Sequence, residues 1–183
     1  MSDPSDKRAI RTAARAARAR FVAADGAAVP CPAPFRALLS PGLTVASYMP
    51  LGSEADPAQL ARTAVEAGCV IALPHVVDRA HPLRFLAWDT EAALAAGPFG
   101  LSQPHGDWAE LAPDIILTPL VAFTRALDRL GQGAGHYDRA FVQFPDARRI
   151  GVALSAQEVK ALPLDAWDMP LHAIATEKEW ITP

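Results

Sequence analysis

The N-terminal segment has a helical pattern of apolar and basic residues. Its apolar positions recur three or four residues apart, which predicts an amphipathic helix over residues 5–23. These apolar positions are Ile10, Ala14, Ala17 and Phe21. Arginines form a separate stripe at Arg8, Arg11, Arg15 and Arg18. Gly26 and the prolines that follow it end the predicted helix.

Short apolar segments further along predict the strands of a buried sheet. The segments are 43–48, 70–73, 83–88, 114–117, 150–154 and 173–176. Asp56 and Pro57 form a good helix start, and Gly68 ends that helix. The resulting order of strand, helix and strand predicts a parallel βαβ unit. Further helices are expected at 35–39 and 135–143.

This succession of elements predicts an α/β fold in one domain that spans residues 1–183. We expect three αβα layers around a mostly parallel, twisted, Rossmann-like central sheet. Segment 114–117 is apolar after its first residue, as in a central strand covered on both faces.

The composition favours a globular protein without a strongly charged surface. Hydrophobic residues make up 51% of the 183 residues, and the net charge is −3. No apolar run approaches the ~20 residues of a membrane span. We therefore expect no nucleic-acid or membrane partner. A monomer is also expected. Cys31 and Cys69 are far apart, without a secretory signal, which predicts reduced thiols in the cytoplasm.

The segment from Arg129 to Arg139 contains a candidate phosphate site. Gly131, Gly133 and Gly135 alternate just before a predicted helix. Glycines let backbone N–H groups crowd around an anion, and a helix start adds a favourable dipole. The pattern is neither a Walker A motif nor a dinucleotide fingerprint. From these residues alone, phosphate binding and a plain connecting turn are equally good interpretations.

Other candidate sites are weaker on the residues alone. Glu54 lies in a loop before the Asp56 cap and is free to face a ligand, although a solvated glutamate is the commoner case. Lys7 and Arg11 share one helix face, where a solvated basic stripe is the default. The five histidines lack metal-ligand spacing, and no Gly-x-Ser-x-Gly elbow occurs, which disfavours zinc enzymes and serine hydrolases.

Taken in order, these segments resemble one family. Residues 7–11 resemble the K-x-x-[IL]-R start of 5-formyltetrahydrofolate cyclo-ligases, and 51–56 resemble their glutamate-containing substrate loop. Residues 99–104 match their F-G-[IL]-x-x-P segment, and 129–138 look like their signature R-[LM]-G-x-G-x-G-[YF]-Y-D. Residues 113–119, followed by Phe123, resemble the family's central strand, and the tail from Asp168 to Glu177 resembles its closing strand.

The resemblance implies an ATP- and Mg²⁺-dependent enzyme. It would cyclise 5-formyltetrahydrofolate to 5,10-methenyltetrahydrofolate, releasing ADP and phosphate, through phosphorylation of the formyl oxygen. Such transfer depends on positioning and charge neutralisation, so no protein nucleophile is needed. Two alternatives remain: a non-catalytic folate- or nucleotide-binding relative, and an ATP phosphotransferase that acts on another small acid.

The resemblance also assigns roles to residues. Asp138 and Asp168 would bind Mg²⁺. Met49, Glu54, Phe99, Gln132 and His136 would contact the folate. Arg129, His136 and Tyr137 would serve catalysis. ATP would contact Lys7, Arg11, Arg129, Gly131, Gln132, Gly133, Ala134, Gly135, His136 and Tyr137.

One residue departs from the family pattern. His136 stands where the family usually has Tyr or Phe. Because an imidazole changes charge near neutral pH, we expect His136 to make the activity more sensitive to pH.

Overall fold

The computed structural model describes residues 4–183, which fold around a seven-stranded sheet. The strands are β1 (Thr44–Ala46), β2 (Val70–His75), β3 (Arg84–Trp88), β4 (Ala95–Ala96), β5 (Ser102–Gln103), β6 (Ile115–Pro119), β7 (Ala122–Phe123), β8 (Arg129–Leu130), β9 (Arg148–Val152), β10 (Ala173–Ala175) and β11 (Trp180–Ile181). The helices are α1 (Pro4–Asp25), α2 (Ala33–Arg36), α3 (Ala58–Glu66) and α4 (His136–Gln143). Two 3₁₀ turns cover Pro98–Gly100 and Ser155–Gln157.

The main sheet is mostly parallel, as predicted. Its strand order is β11-β10-β9-β6-β1-β2-β3. The five inner strands run parallel to their neighbours, whereas β3 and β11 pair antiparallel at the two edges. The parallel pairing of β1 with β2 across α3 confirms the predicted βαβ unit. The central position and burial of β6 also confirm the interpretation of its apolar sequence.

Helices cover both faces of this sheet, which gives the predicted three layers. On one face, Phe141 of α4 packs with Phe85 and Ile116 of the sheet. On the other face, Phe35 of α2 and Leu60 of α3 pack against sheet residues that include Val45, Ile71, Ile150 and Val152. The alternation of side chains along each strand supplies both cores. None of the helices within residues 4–183 is long and apolar enough to span a membrane.

Several elements differ from the prediction. The hairpins β4–β5 and β7–β8 and the edge strand β11 were not predicted, since two-residue strands carry no periodic signal. The second helix lies at Ala33–Arg36 instead of 35–39. Helix α3 begins at Ala58, with Pro57 at the cap, and the Asp56 carboxylate accepts a hydrogen bond from the Ala58 N–H at 2.9 Å.

The loops that follow β1, β2, β6 and β9 all leave the carboxyl edge of the parallel sheet. The β7–β8 hairpin belongs to this edge, because it directly follows β6 and leads into the glycine-rich segment. Helix α1 lies across β7, where Ala14 packs against Val121, Ala122 and Leu130. Ligands of open α/β sheets gather at this edge.

A tight contact in β9 gives a test of this packing. A Cβ atom built on Gly151 would lie 2.7 Å from Leu171 Cδ1 and 2.9 Å from Leu120 Cδ2, both in the buried core. We predict that Gly151→Ala lowers the free energy of unfolding by about 1–3 kcal/mol through overpacking. Urea denaturation measures the change. Gly106→Ala is the matched control, since its added Cβ would meet only ordinary contacts at 3.4 Å. Equal stability of the two variants would contradict the packing described here.

Candidate active site

The glycine-rich segment between β8 and α4 has a backbone that requires glycine. Gly133 has a φ of +108° and Gly135 a φ of +67°, and Gly135 caps α4. L-residues other than glycine rarely adopt such angles without strain. Residues 131–135 are called the glycine loop below. A Cβ on Gly133 would approach the Arg11 guanidinium to 3.5 Å, so a cation lies directly against the loop.

Helix α1 is attached to the glycine loop by side-chain hydrogen bonds. Arg11 Nε donates to the Gly131 carbonyl at 2.9 Å. Arg15 donates to the Gln132 side-chain oxygen, and Gln132 Nε2 donates to Glu54 Oε1 at 2.9 Å. The basic stripe of α1 is therefore not simply solvated, because part of it holds the glycine loop and, through Gln132, the loop after β1.

Arg129 enters the site from β8. Its guanidinium donates to the Asp138 carboxylate and lies 4.8 Å from the ring centroid of Phe141. Burial lowers the pKa of Arg129, and the charges of Asp138 and Asp168 oppose that effect. An arginine stays charged under these conditions. Its buried Nε has no hydrogen-bond partner among residues 4–183, which leaves a cationic donor available.

Lys7 lies between two carboxylates of a turn that precedes β10. Its Nζ is 2.8 Å from Asp165 Oδ2 and 2.8 Å from Asp168 Oδ2. Burial alone would lower the pKa of Lys7, but the hydrogen bonds and charges of the two carboxylates outweigh it and raise the pKa. The ammonium is therefore charged at neutral pH and fixes the turn to α1.

The charge of Glu54 affects the pKa of Tyr137. Glu54 was expected to be free in its loop, but it is only 6% exposed and its Oε2 accepts the Leu51 N–H at 2.9 Å. Burial raises the pKa of Tyr137, the Glu54 charge raises it further, and Arg129 acts in the opposite direction. Tyr137 consequently keeps its hydroxyl proton and can act as a hydrogen-bond donor.

All the site residues predicted from the sequence line a single cleft of about 760 Å³. They are Lys7, Arg11, Met49, Glu54, Phe99, Arg129, Gly131, Gln132, Gly133, Ala134, Gly135, His136, Tyr137, Asp138 and Asp168. Clefts of this size are typical of small-molecule sites. The structure thus brings together segments that are up to 161 residues apart in the chain, as in the pair of Lys7 and Asp168.

Other residues of the cleft were not found in the sequence. Tyr48, Arg79, Asp165 and Trp167 also line it. Tyr48 precedes the predicted loop directly, and Asp165 stands three residues before Asp168, so both were near a signal. Arg79 and Trp167 carried none, since a single surface arginine or tryptophan in a loop forms no pattern.

Two carboxylates of the cleft suit a magnesium ion that is held together with phosphates. Mg²⁺ is commonly bound through one or two carboxylates plus substrate phosphates. Asp138 and Asp168 provide such a pair, and both act electrostatically on Arg129. No cluster of three or more His, Cys, Asp or Glu side chains able to hold a metal occurs within residues 4–183. The protein side of the cleft therefore fits a metal that phosphate oxygens help to ligate.

Comparison with known proteins shows the family of this chain. The model of the 5-formyltetrahydrofolate cyclo-ligase family matches residues 4–177, which include every residue of the cleft named above. The chain belongs to this family. A 5-formyltetrahydrofolate cyclo-ligase of Escherichia coli (strain K12) is 33% identical over 149 residues, covering 75% of this chain and 80% of the relative.

A second relative and a solved structure extend this comparison. A 5-formyltetrahydrofolate cyclo-ligase of Mycolicibacterium smegmatis is 32% identical over 148 residues, covering 76% of each chain. The NMR structure of the 5,10-methenyltetrahydrofolate synthetase of Aquifex aeolicus superposes with a TM-score of 0.64 at 26% identity. That superposition covers 96% of this chain and 84% of the other. Both the family and the α/β fold expected from the sequence are confirmed.

His136, the residue that departs from the family pattern, is held by Arg139. Arg139 Nη2 lies 3.0 Å from His136 Nδ1, and a guanidinium can only donate, so Nδ1 accepts and the neutral ring carries its proton on Nε2. Burial lowers the pKa of His136, Arg139 and Arg79 lower it further, and Asp78 acts in the opposite direction. The lowered pKa favours the neutral ring at neutral pH. The expected effect of His136 on the pH dependence of the activity stays a prediction.

The lowered pKa gives a testable pH dependence of stability. The unfolded chain takes up a proton at His136 near the ordinary pKa of about 6.5, while the folded chain resists it. The contribution of His136 to the free energy of unfolding is thus complete above that pH. It is lost as the pH falls through the pKa of His136 in the folded state. We predict that the difference in unfolding free energy between the wild type and His136→Asn shrinks from pH 7 to pH 5 in urea titrations. A constant difference for His136 would contradict the assignment.

Proposed function

We propose that this chain catalyses the ATP- and Mg²⁺-dependent cyclisation of 5-formyltetrahydrofolate to 5,10-methenyltetrahydrofolate, with release of ADP and phosphate. The observation that carries the proposal is the convergence of a glycine loop, three cationic side chains and two carboxylates in one cleft. The cations are Lys7, Arg11 and Arg129. The carboxylates are Asp138 and Asp168. This is the donor set that a polyphosphate with a bound magnesium requires.

The reaction needs activation of a poor electrophile. In the proposed sequence, the formyl oxygen receives the terminal phosphoryl group of ATP, and N10 of the folate then attacks the formyl carbon. The carbon–oxygen bond breaks as phosphate leaves, and N10 loses its proton, which gives the methenyl bridge. The protein contributes position and charge, so the lack of a nucleophile motif in the sequence is consistent with this chemistry.

The phosphate end of the cleft is assigned to the glycine loop and its cations. Arg129 keeps a buried Nε–H without a partner in the described chain, and the neutral His136 keeps an Nε2–H in the same condition. Buried donors without partners are costly, and an anionic acceptor would satisfy them. When bound, Mg²⁺ neutralises charge on the phosphates, and Asp138 and Asp168 are the residues that would hold it.

The folate is assigned to the wall formed by the loop after β1 and by the 3₁₀ turn between β4 and β5. Met49 and Phe99 present exposed apolar surface there, at 36% and 54% exposure. Glu54 has its carboxylate oriented by Leu51 and Gln132, with lone pairs left to accept N–H groups of a pterin. Gln132 thereby connects the folate wall to the glycine loop. Phosphoryl transfer from ATP to the folate needs the two ligands to be adjacent in this way.

The activity test is direct. Purified protein mixed with 5-formyltetrahydrofolate, ATP and Mg²⁺ should generate the near-ultraviolet absorbance of the methenyl product, and omission of either ATP or Mg²⁺ should abolish it. Folate binding in calorimetry without any ATP-dependent product would instead support the non-catalytic alternative. Product formation from another small acid, without competition by folates, would support the phosphotransferase alternative.

We predict that Asp138→Asn lowers turnover by at least about 100-fold. The loss of an outer-shell partner of a metal already costs up to about 100-fold, and Asp138 would bind the metal directly. Asparagine keeps an oxygen that can accept from Arg129, whereas alanine would leave that buried guanidinium unpaired. The absorbance assay gives the rate, and thermal melting checks the fold. Asp146→Asn is the control, because Asp146 is exposed just beyond α4. Near-wild-type turnover of Asp138→Asn would refute the metal assignment.

A further inference from the structure

Trp167 is an aromatic side chain of the cleft that the proposed chemistry does not use. Its side chain lines the cleft but is 62% exposed, the second highest exposure among the large hydrophobic residues of the described chain. The other three tryptophans are outside the cleft lining: Trp88, Trp108 and Trp180. An exposed indole at the mouth of a ligand cleft is a surface for stacking.

The turn that carries Trp167 is held in place by contacts within the protein. It lies in a tight turn in which the Asp168 N–H donates to the Asp165 carbonyl at 3.0 Å and the Asp165 N–H donates to Asp168 Oδ2 at 2.8 Å. Both carboxylates of this turn bind Lys7 of α1. A turn that is ordered before binding reduces the entropy lost when a ligand arrives.

The same contacts indicate which end of the cleft the indole lies near. Lys7 attaches the turn of Trp167 to α1, and one helical turn further along Arg11 donates to Gly131 of the glycine loop. The indole therefore belongs to the end of the cleft that contains the cations. Phe99 is a second exposed aromatic residue of the cleft, and the Arg79 guanidinium lies 5.2 Å from its ring centroid.

We propose that Trp167 stacks on the base of the bound nucleotide and supplies the affinity for a nucleoside triphosphate over a bare polyphosphate. The inference rests on the proposed use of ATP. Phosphates in the glycine loop leave the base to extend toward solvent, where the turn of Trp167 offers the flat apolar face. Every base has a π-face, so this contact adds affinity and does not select the base.

The test compares two probes that differ by the nucleoside. Calorimetry should show that Trp167→Ala weakens ATP binding about 5- to 150-fold, the equivalent of about 1–3 kcal/mol for one stacked base. Binding of inorganic tripolyphosphate should be unchanged, because it has no base. Trp167→Phe should retain most of the ATP affinity. Trp108→Ala serves as the matched control and should bind both probes as the wild type does.

Fluorescence gives a second readout that does not depend on activity. ATP should quench part of the indole emission of the wild type and of Trp108→Phe, whereas tripolyphosphate should not. Trp167→Phe should lose the ATP-dependent quenching. Retention of that quenching in Trp167→Phe would overturn the proposal.

The remaining outcomes separate this inference from the proposed function. Equal loss of ATP and tripolyphosphate binding in Trp167→Ala would mean that the residue acts through the turn, and would overturn the stacking role. Unchanged ATP binding with weakened 5-formyltetrahydrofolate binding would place the indole at the folate and also overturn it, while leaving the proposed reaction intact. A wild type that binds neither ATP nor tripolyphosphate would overturn both.

Discussion

The attachment of helix α1 to the carboxyl edge of the sheet is the constraint on which the site depends. Arg11 binds the glycine loop, Arg15 binds Gln132, and Lys7 binds the two carboxylates of the turn before β10. One basic helix face therefore holds both the glycine loop and the turn before β10, and Gln132 extends this attachment to Glu54 in the loop after β1.

This attachment places positive charge where water is scarce. Arg18 is 4% exposed and donates to Ser53 and to the Leu120 carbonyl, while Arg129 is 8% exposed and pairs with Asp138. Burying a charged group is costly unless it is paired and hydrogen-bonded, so these contacts are needed for folding as well as for the site. Two of the four buried donors that lack a partner within residues 4–183, Arg129 Nε and His136 Nε2, belong to residues of the cleft wall. An anionic ligand would complete a network that the protein alone leaves unfinished.

The sequence predicts the strands of the main sheet better than it predicts the small hairpin that leads into the site. Segments such as 70–73 and 115–117 are continuously apolar, as is typical of strands that a sheet buries on both faces, and this property is visible in the sequence. The hairpin β7–β8 was not predicted because its pairing is set by its surroundings and not by two-residue periodicity. It nevertheless positions Arg129, so the glycine loop follows a small hairpin instead of a strand of the main sheet.

The identity of the site residues came from the resemblance to a family, and their surroundings could not be predicted at all. Arg18 belonged to a stripe that looked solvated, and its burial depends on a carbonyl 102 residues away. Lys7 contacts carboxylates 158 and 161 residues away, and no local pattern signals such a pair. Trp167 was missed for the same reason. Long-range contacts of this kind follow from the fold and become visible only with it.

A crystal structure of the protein with ATP, Mg²⁺ and the folate would test the proposed site most directly. We predict phosphate oxygens within hydrogen-bonding distance of the glycine loop, with the metal on Asp138 or Asp168 and the formyl oxygen facing the terminal phosphate. Phosphates bound elsewhere, with the glycine loop contacting only protein, would contradict it.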